Sequence, residues 1–172
     1  MEKRSGVVAF HGKPITLIGP ELRSGDKAPQ FHVVDNDLKP VTLDDFLGKV
    51  LVISSVPSLD TPVCDMETRR FNMEAQNLGD RVQILTVSMD LPFAQKRWCG
   101  QAGVSNVRTV SDYQTASFGT AYGVLIEGLR LLARAVFVVD TAGVLRLVHI
   151  VPELTHEPDY AAILNVVRSI LP

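Results

Sequence analysis

Two cysteines, Cys64 and Cys99, are the residues of this chain whose type and setting favour chemistry. Cys64 ends the stretch Val56-Pro57-Ser58-Leu59-Asp60-Thr61-Pro62-Val63-Cys64, which follows the apolar, β-branched run Val50-Leu51-Val52-Ile53. That run predicts a buried strand. Thr61 is a good N-cap residue and Pro62 suits the first helical position, so Cys64 falls within the first turn of a helix. There, unpaired backbone N–H groups and the positive end of the dipole favour a thiolate. A thiol with a pKa of about 8.5 is roughly 3% ionised at pH 7, and one with a pKa near 6 is roughly 90% ionised. Redox or nucleophilic chemistry is therefore expected at Cys64, with inert packing in the core as the plainer alternative. Asp60 and Asp65 flank the position, and a carboxylate facing the sulfur would raise its pKa.

Composition narrows the setting. The 172 residues suit one domain able to bury a sizeable core, and 46% hydrophobic with 21% charged residues is ordinary for a globular protein. Seventeen basic against nineteen acidic side chains leave a net charge of −2, with no basic tract for nucleic acid or a membrane surface. No apolar run is long enough for a membrane span. Val7-Val8-Ala9-Phe10 is too short for the apolar part of a signal peptide, so a cytoplasmic location is expected. His11, His32, His149 and His156 show no metal-ligand spacing near either cysteine, and no metal site is expected. Two cysteines in a reducing compartment suggest catalysis, redox activity or packing before a permanent staple.

The elements that would position these residues alternate along the chain. Residues 1–172 are expected to form a single domain, with 1–25 as an N-terminal hairpin extension built from Val7–Phe10 and Ile15–Ile18. Short strand 31–34 and a helical turn near 42–46 follow. Strand 50–54 leads to helix 62–78, closed by Gly79, with Val63, Met66, Phe71, Ala75 and Leu78 approximating its apolar face. Strand 82–87, helix 93–102, strand 107–110, helix 116–122, a hairpin from 135–139 and 144–151, and helix 159–171 complete the pattern. The pattern predicts an α/β, three-layer thioredoxin-like fold: a mixed central sheet flanked by helices, plus the N-terminal β-hairpin. Sites in open α/β sheets collect beyond the carboxyl ends of strands, and Cys64 lies just past one.

Pro57, Thr61 and Cys64 match the pattern Pro, three residues, Thr or Ser, two residues, Cys, and the segment resembles the peroxidatic motif of peroxiredoxins. Asp90-Leu91-Pro92-Phe93-Ala94-Gln95 leading to Trp98-Cys99-Gly100, Leu132-Ala133-Arg134-Ala135-Val136, Glu157-Pro158-Asp159-Tyr160 and the hairpin resemble one subfamily, the bacterial thiol peroxidases, which are atypical two-cysteine peroxiredoxins. The resemblance covers nearly the whole chain. It implies that Cys64 attacks hydrogen peroxide or an organic hydroperoxide and becomes a sulfenic acid. Cys99 would then condense with it in the same subunit, and thioredoxin would reduce the disulfide. It also implies a Thr61 hydroxyl at the thiolate and peroxide, a shielding Pro57, a charged Arg134, a homodimer, and a cycle without metal, haem or flavin.

Plainer roles stand beside these. Thr61 serves equally as a helix cap worth about 1 kcal/mol, Pro57 as a strand terminator, and Arg134 as a solvated strand-end arginine. A Cys64–Cys99 staple would stabilise the fold by about 4 kcal/mol. Any such bond needs Cα atoms within about 7 Å, so cysteines fixed in separate helices require both segments to loosen. A cysteine hydrolase using His149 or His156, and a redox sensor that reacts without turning over, are the competing functions. No Cys-x-x-Cys supports a general disulfide oxidoreductase.

Overall fold

Apolar strands buried on both faces dictate a sheet with layers above and below it, and the computed structural model, which describes residues 1–172, has that arrangement. The hairpin strands are β1 (Lys3–Phe10) and β2 (Lys13–Ile18), followed by β3 (His32–Val34) and β4 (Pro40–Thr42). Next come β5 (Val50–Ser55), α1 (Pro62–Leu78), β6 (Val82–Ser88), α2 (Pro92–Ala102), β7 (Arg108–Ser111) and α3 (Ser117–Ala121). The chain closes with β8 (Leu125–Ile126), β9 (Ala135–Val139), β10 (Leu145–Ile150) and α4 (Tyr160–Ile170).

The main sheet has seven strands in the order β10-β9-β5-β6-β7-β3-β4. β5, β6 and β7 run parallel, and β9 and β10 return antiparallel beside β5. This is the mixed α/β, thioredoxin-like sheet that the alternation implied. Period-two burial splits the core: Leu51, Ile53, Leu85 and Val87 face α3 and the N-terminal strands, whereas Val50, Val52 and Ile84 face α1 and α4.

Two short strands were invisible in the sequence because each is too brief to show a period. β4 pairs with β3, and β8 adds to the hairpin to make a second sheet in the order β1-β2-β8. Val8 and Leu17 of the hairpin belong to the larger core cluster. The end of the hairpin sits close against the last turn of α3: Gly19 has φ of 113°, and a Cβ there would collide with the Thr120 carbonyl oxygen.

α1 begins at Pro62, as its first-position proline predicts. Thr61 has the extended backbone of an N-cap, but its side chain accepts no bond from the helix. Its hydroxyl donates instead to the Ser58 carbonyl oxygen at 2.9 Å. The inward face also differs from the apolar one expected: Cys64, Glu67, Thr68, Phe71 and Leu78 are buried, and Met66 is 49% exposed. A buried cation opposite Glu67 makes an acidic residue the inward one.

Candidate active site

Cys64 is fully buried in the first turn of α1, in a small cluster with Val56 and Leu59 against which Trp98 packs. β5 delivers the preceding loop to this point. Val56 N–H still bonds the Val87 carbonyl at 3.0 Å, and Pro57 then ends the ladder. Asp90 holds the loop in place: its carboxylate accepts the Ser58 hydroxyl at 2.7 Å, the Leu59 N–H at 2.8 Å and the Ser88 hydroxyl at 2.7 Å.

Arg134, the residue before β9, is 2% exposed and uses its fork on three partners. Nη2 donates to the Cys64 sulfur at 3.3 Å, Nη1 to Glu67 Oε2 at 2.6 Å, and Nε to the Leu154 carbonyl at 3.1 Å. Glu67 is completed by the Ser54 hydroxyl at 2.8 Å. Burial works against the charge on Arg134, but the Cys64 sulfur and the Glu67 carboxylate beside it hold it more firmly protonated than usual. Burial pushes Glu67 up from the ordinary carboxylate range, opposed by Arg134 and Ser54.

Beside this cluster lies a cavity of about 160 Å³ whose exposed lining is apolar, walled by Phe10, Pro57, Thr61, Val63, Arg134 and Leu154 among others. Phe10 reaches it because the hairpin is tied to the loop after β10: Ala9 N–H bonds the Pro152 carbonyl and Leu154 N–H bonds the Ala9 carbonyl. The same Leu154 orients Arg134, so hairpin, loop and guanidinium form one chain of contacts.

Cys99, on α2, is half-buried, and neither it nor the buried Cys64 is in a disulfide. The Cys99 sulfur lies 3.4 Å from Thr109 Oγ1, whose own proton goes to Asn36 Oδ1 at 3.0 Å. With the Thr109 proton engaged there, Thr109 Oγ1 faces the Cys99 sulfur as an acceptor. Cys99 borders a separate polar cavity of about 390 Å³ near Asn36 and Thr109, which shares no wall with the cavity at Arg134. The structure thus brings together Cys64, Arg134, Thr61 and Pro57, and places Cys99 apart from them.

The flanking carboxylates are turned away from the sulfur. Asp60 is exposed, and Asp65 binds Arg69 and the Trp98 indole, each at 2.9 Å. The hydrogen-bond partner of the Cys64 sulfur is Arg134 and not a histidine, and His149 accepts the Asp159 N–H. No group of three His, Cys, Asp or Glu side chains is arranged to hold a metal.

The roles of Glu67, Ser54 and Asp90 escaped sequence reasoning, although Asp90 opens one of the segments that carry the family resemblance. Only Glu67 left a signal, since its spacing from Cys64 puts both on one side of a helix. Ser54 and Asp90 act across strands and loops, where linear spacing carries no information.

The family comparison agrees with this construction. The redoxin family model matches residues 23–164, and the chain belongs to the redoxin family. Within it, the likeness is to peroxiredoxin-type peroxidases. The thiol peroxidase of Halalkalibacterium halodurans is 56% identical over 164 residues, covering 95% of this chain and 98% of that one. The thiol peroxidase of Bacillus subtilis is 49% identical, with the same coverage of each. Among solved structures, a peroxiredoxin-like protein from Aquifex aeolicus superposes with a TM-score of 0.90 at 44% identity, covering 97% of both chains. No helix is long and apolar enough to cross a membrane.

Proposed function

We propose that the chain is a cytoplasmic thiol peroxidase that reduces hydrogen peroxide and organic hydroperoxides with Cys64 as nucleophile and Cys99 as resolving cysteine. The observation that supports this best is the Arg134 guanidinium, fixed by Glu67 and Leu154, donating directly to the Cys64 sulfur. A permanent cation there favours the thiolate and the oxygen charge that develops as the O–O bond breaks.

The Cys64 thiolate attacks the terminal oxygen of ROOH, forming S–OH while RO⁻ leaves and takes a proton to become ROH. Thr61, whose proton is engaged by Ser58, has its oxygen free to accept the hydroperoxide O–H. Pro57 and the apolar wall exclude water. The Cys99 thiol then condenses with S–OH, releasing water and leaving the Cys64–Cys99 disulfide. Two thiols of the reductant, thioredoxin by family resemblance, restore both cysteines by exchange. The Phe10–Leu154 side of the cavity favours peroxides with a hydrocarbon arm. The working unit is the single domain 1–172, with 1–25 as its hairpin, acting as a homodimer.

Cys64→Ser should abolish peroxide consumption, and Cys99→Ser should keep one oxidation per chain while losing thioredoxin-driven turnover. Stopped-flow peroxide assays with and without thioredoxin check both. Turnover by the Cys64→Ser protein would overturn the assignment.

A further inference from the structure

α2 carries Cys99 but buries little of itself: Pro92 and Gln95 are its only fully buried residues. A helix with so few core contacts is held by whatever clasps it to its neighbours, and it opens locally when those fail. One such clasp joins it to α1. Trp98 Nε1 donates to Asp65 Oδ1 at 2.9 Å, and Asp65 Oδ2 accepts Arg69 Nε at 2.9 Å. Arg69 reaches on to the Ala102 carbonyl at 3.2 Å, at the α2 terminus where helix carbonyls lack partners, and its guanidinium lies 5.8 Å from the Trp98 ring centre. The indole also packs on the Val56, Leu59 and Cys64 cluster.

We propose that Trp98 and Asp65 act as a clasp whose release sets the rate at which Cys99 reaches Cys64. This rests on the two-cysteine cycle proposed above. Trp98 and Asp65 are positioning residues and touch neither peroxide nor the reacting oxygens. Oxidation adds an oxygen to a sulfur that is buried against Val56, Leu59 and Trp98, crowding the cluster on which the indole rests. The clasp then decides between two fates. Cys64–SOH with Cys99–SH gives the disulfide and water, whereas Cys64–SOH with a second ROOH gives sulfinic acid, Cys64–SO₂H, and ROH. A tight clasp delays the first and leaves time for the second.

Trp98→Phe keeps a ring on the cluster and removes the indole N–H. It should speed disulfide formation about three- to tenfold, the effect of one hydrogen bond lost from the closed form. The peroxide concentration that inactivates half the enzyme should rise in proportion. Asp65→Asn keeps an acceptor for the indole and weakens the Arg69 contact, so its acceleration should be smaller. Quench-flow with thiol alkylation and mass spectrometry reads disulfide, sulfenic and sulfinic forms separately. The same variants in a Cys99→Ser background give the first oxidation step, so any change in Cys64 reactivity is divided out. In the unaltered protein Trp98 is the sole tryptophan, and the largest change in its fluorescence should accompany resolution, when the clasp opens. Disulfide formation at an unaltered or slower rate in both variants would overturn the clasp and leave the two-cysteine cycle standing. Absence of any Cys64–Cys99 disulfide in the unaltered protein would overturn both.

Discussion

Arg134 could not be replaced by another cation without loss. Its three contacts point along three directions of one planar group, to Leu154, Glu67 and Cys64. A lysine ammonium offers a single point charge on a flexible stem, and it would follow the Glu67 carboxylate or the sulfur but not both. Arg134→Lys should therefore slow the oxidation of Cys64 about 10- to 100-fold, the worth of one charge-assisted hydrogen bond. Rapid-mixing kinetics on the reduced protein check this, and a rate within twofold of the unaltered protein would remove Arg134 from the chemistry. Glu67 matters through Arg134: stripping it would leave a buried charge without its counter-ion, a change that costs about 3–5 kcal/mol in comparable settings.

Single elements carry their own consequences. The N-cap position of α3 is Ala116, whose methyl cannot cap a helix and whose φ is 53°. Asp112 serves in its place, accepting the Phe118 and Gly119 N–H groups at 3.0 and 2.8 Å. Burial pushes this carboxyl up to about 6 although those N–H groups pull it down. The folded chain thus holds a proton on Asp112 at pH values where the unfolded chain, with an ordinary carboxyl near 4, has released it. This contribution to stability is present below about pH 4 and is lost as pH rises toward about 6. Denaturant midpoints between pH 4 and 7 should show that decline, and Asp112→Asn should flatten it.

At the scale of the whole molecule, the hairpin and the main sheet share one core, since Val8 and Leu17 pack in the cluster that holds Ile53, Phe118 and Phe137. A shared core makes separate melting unfavourable. Reduced protein should unfold in one transition, with Trp98 fluorescence and far-ultraviolet circular dichroism superimposing. A chain lacking residues 1–25 should lose that cooperative transition. A truncated protein that unfolded with the original midpoint would make the hairpin a dispensable appendage. The proposed Cys64–Cys99 disulfide would act at this scale too, because Cys99 borders a cavity that shares no wall with the one beside the Cys64 cluster.

Much of this protein could be read from its residues in order. Strand β5, the Thr61-Pro62 start of α1 and the Cys64 position announce themselves by local chemistry: burial pattern, a fixed proline φ, a helix terminus. The hairpin of β9 and β10 and the limits of α4 followed from the same periodicities, within a residue or two. The family motif points to Arg134, but tertiary structure alone decided how its fork meets the sulfur, that Glu67 turns inward where Met66 was expected, and that Asp65 binds Trp98 instead of opposing the thiolate. It also decided that Thr61 bonds backward to Ser58. Sequence patterns encode torsional preference and which side of an element is apolar, both of which act between near neighbours. Charge pairing across 67 positions, as between Glu67 and Arg134, exists only after β5, α1 and β9 have packed.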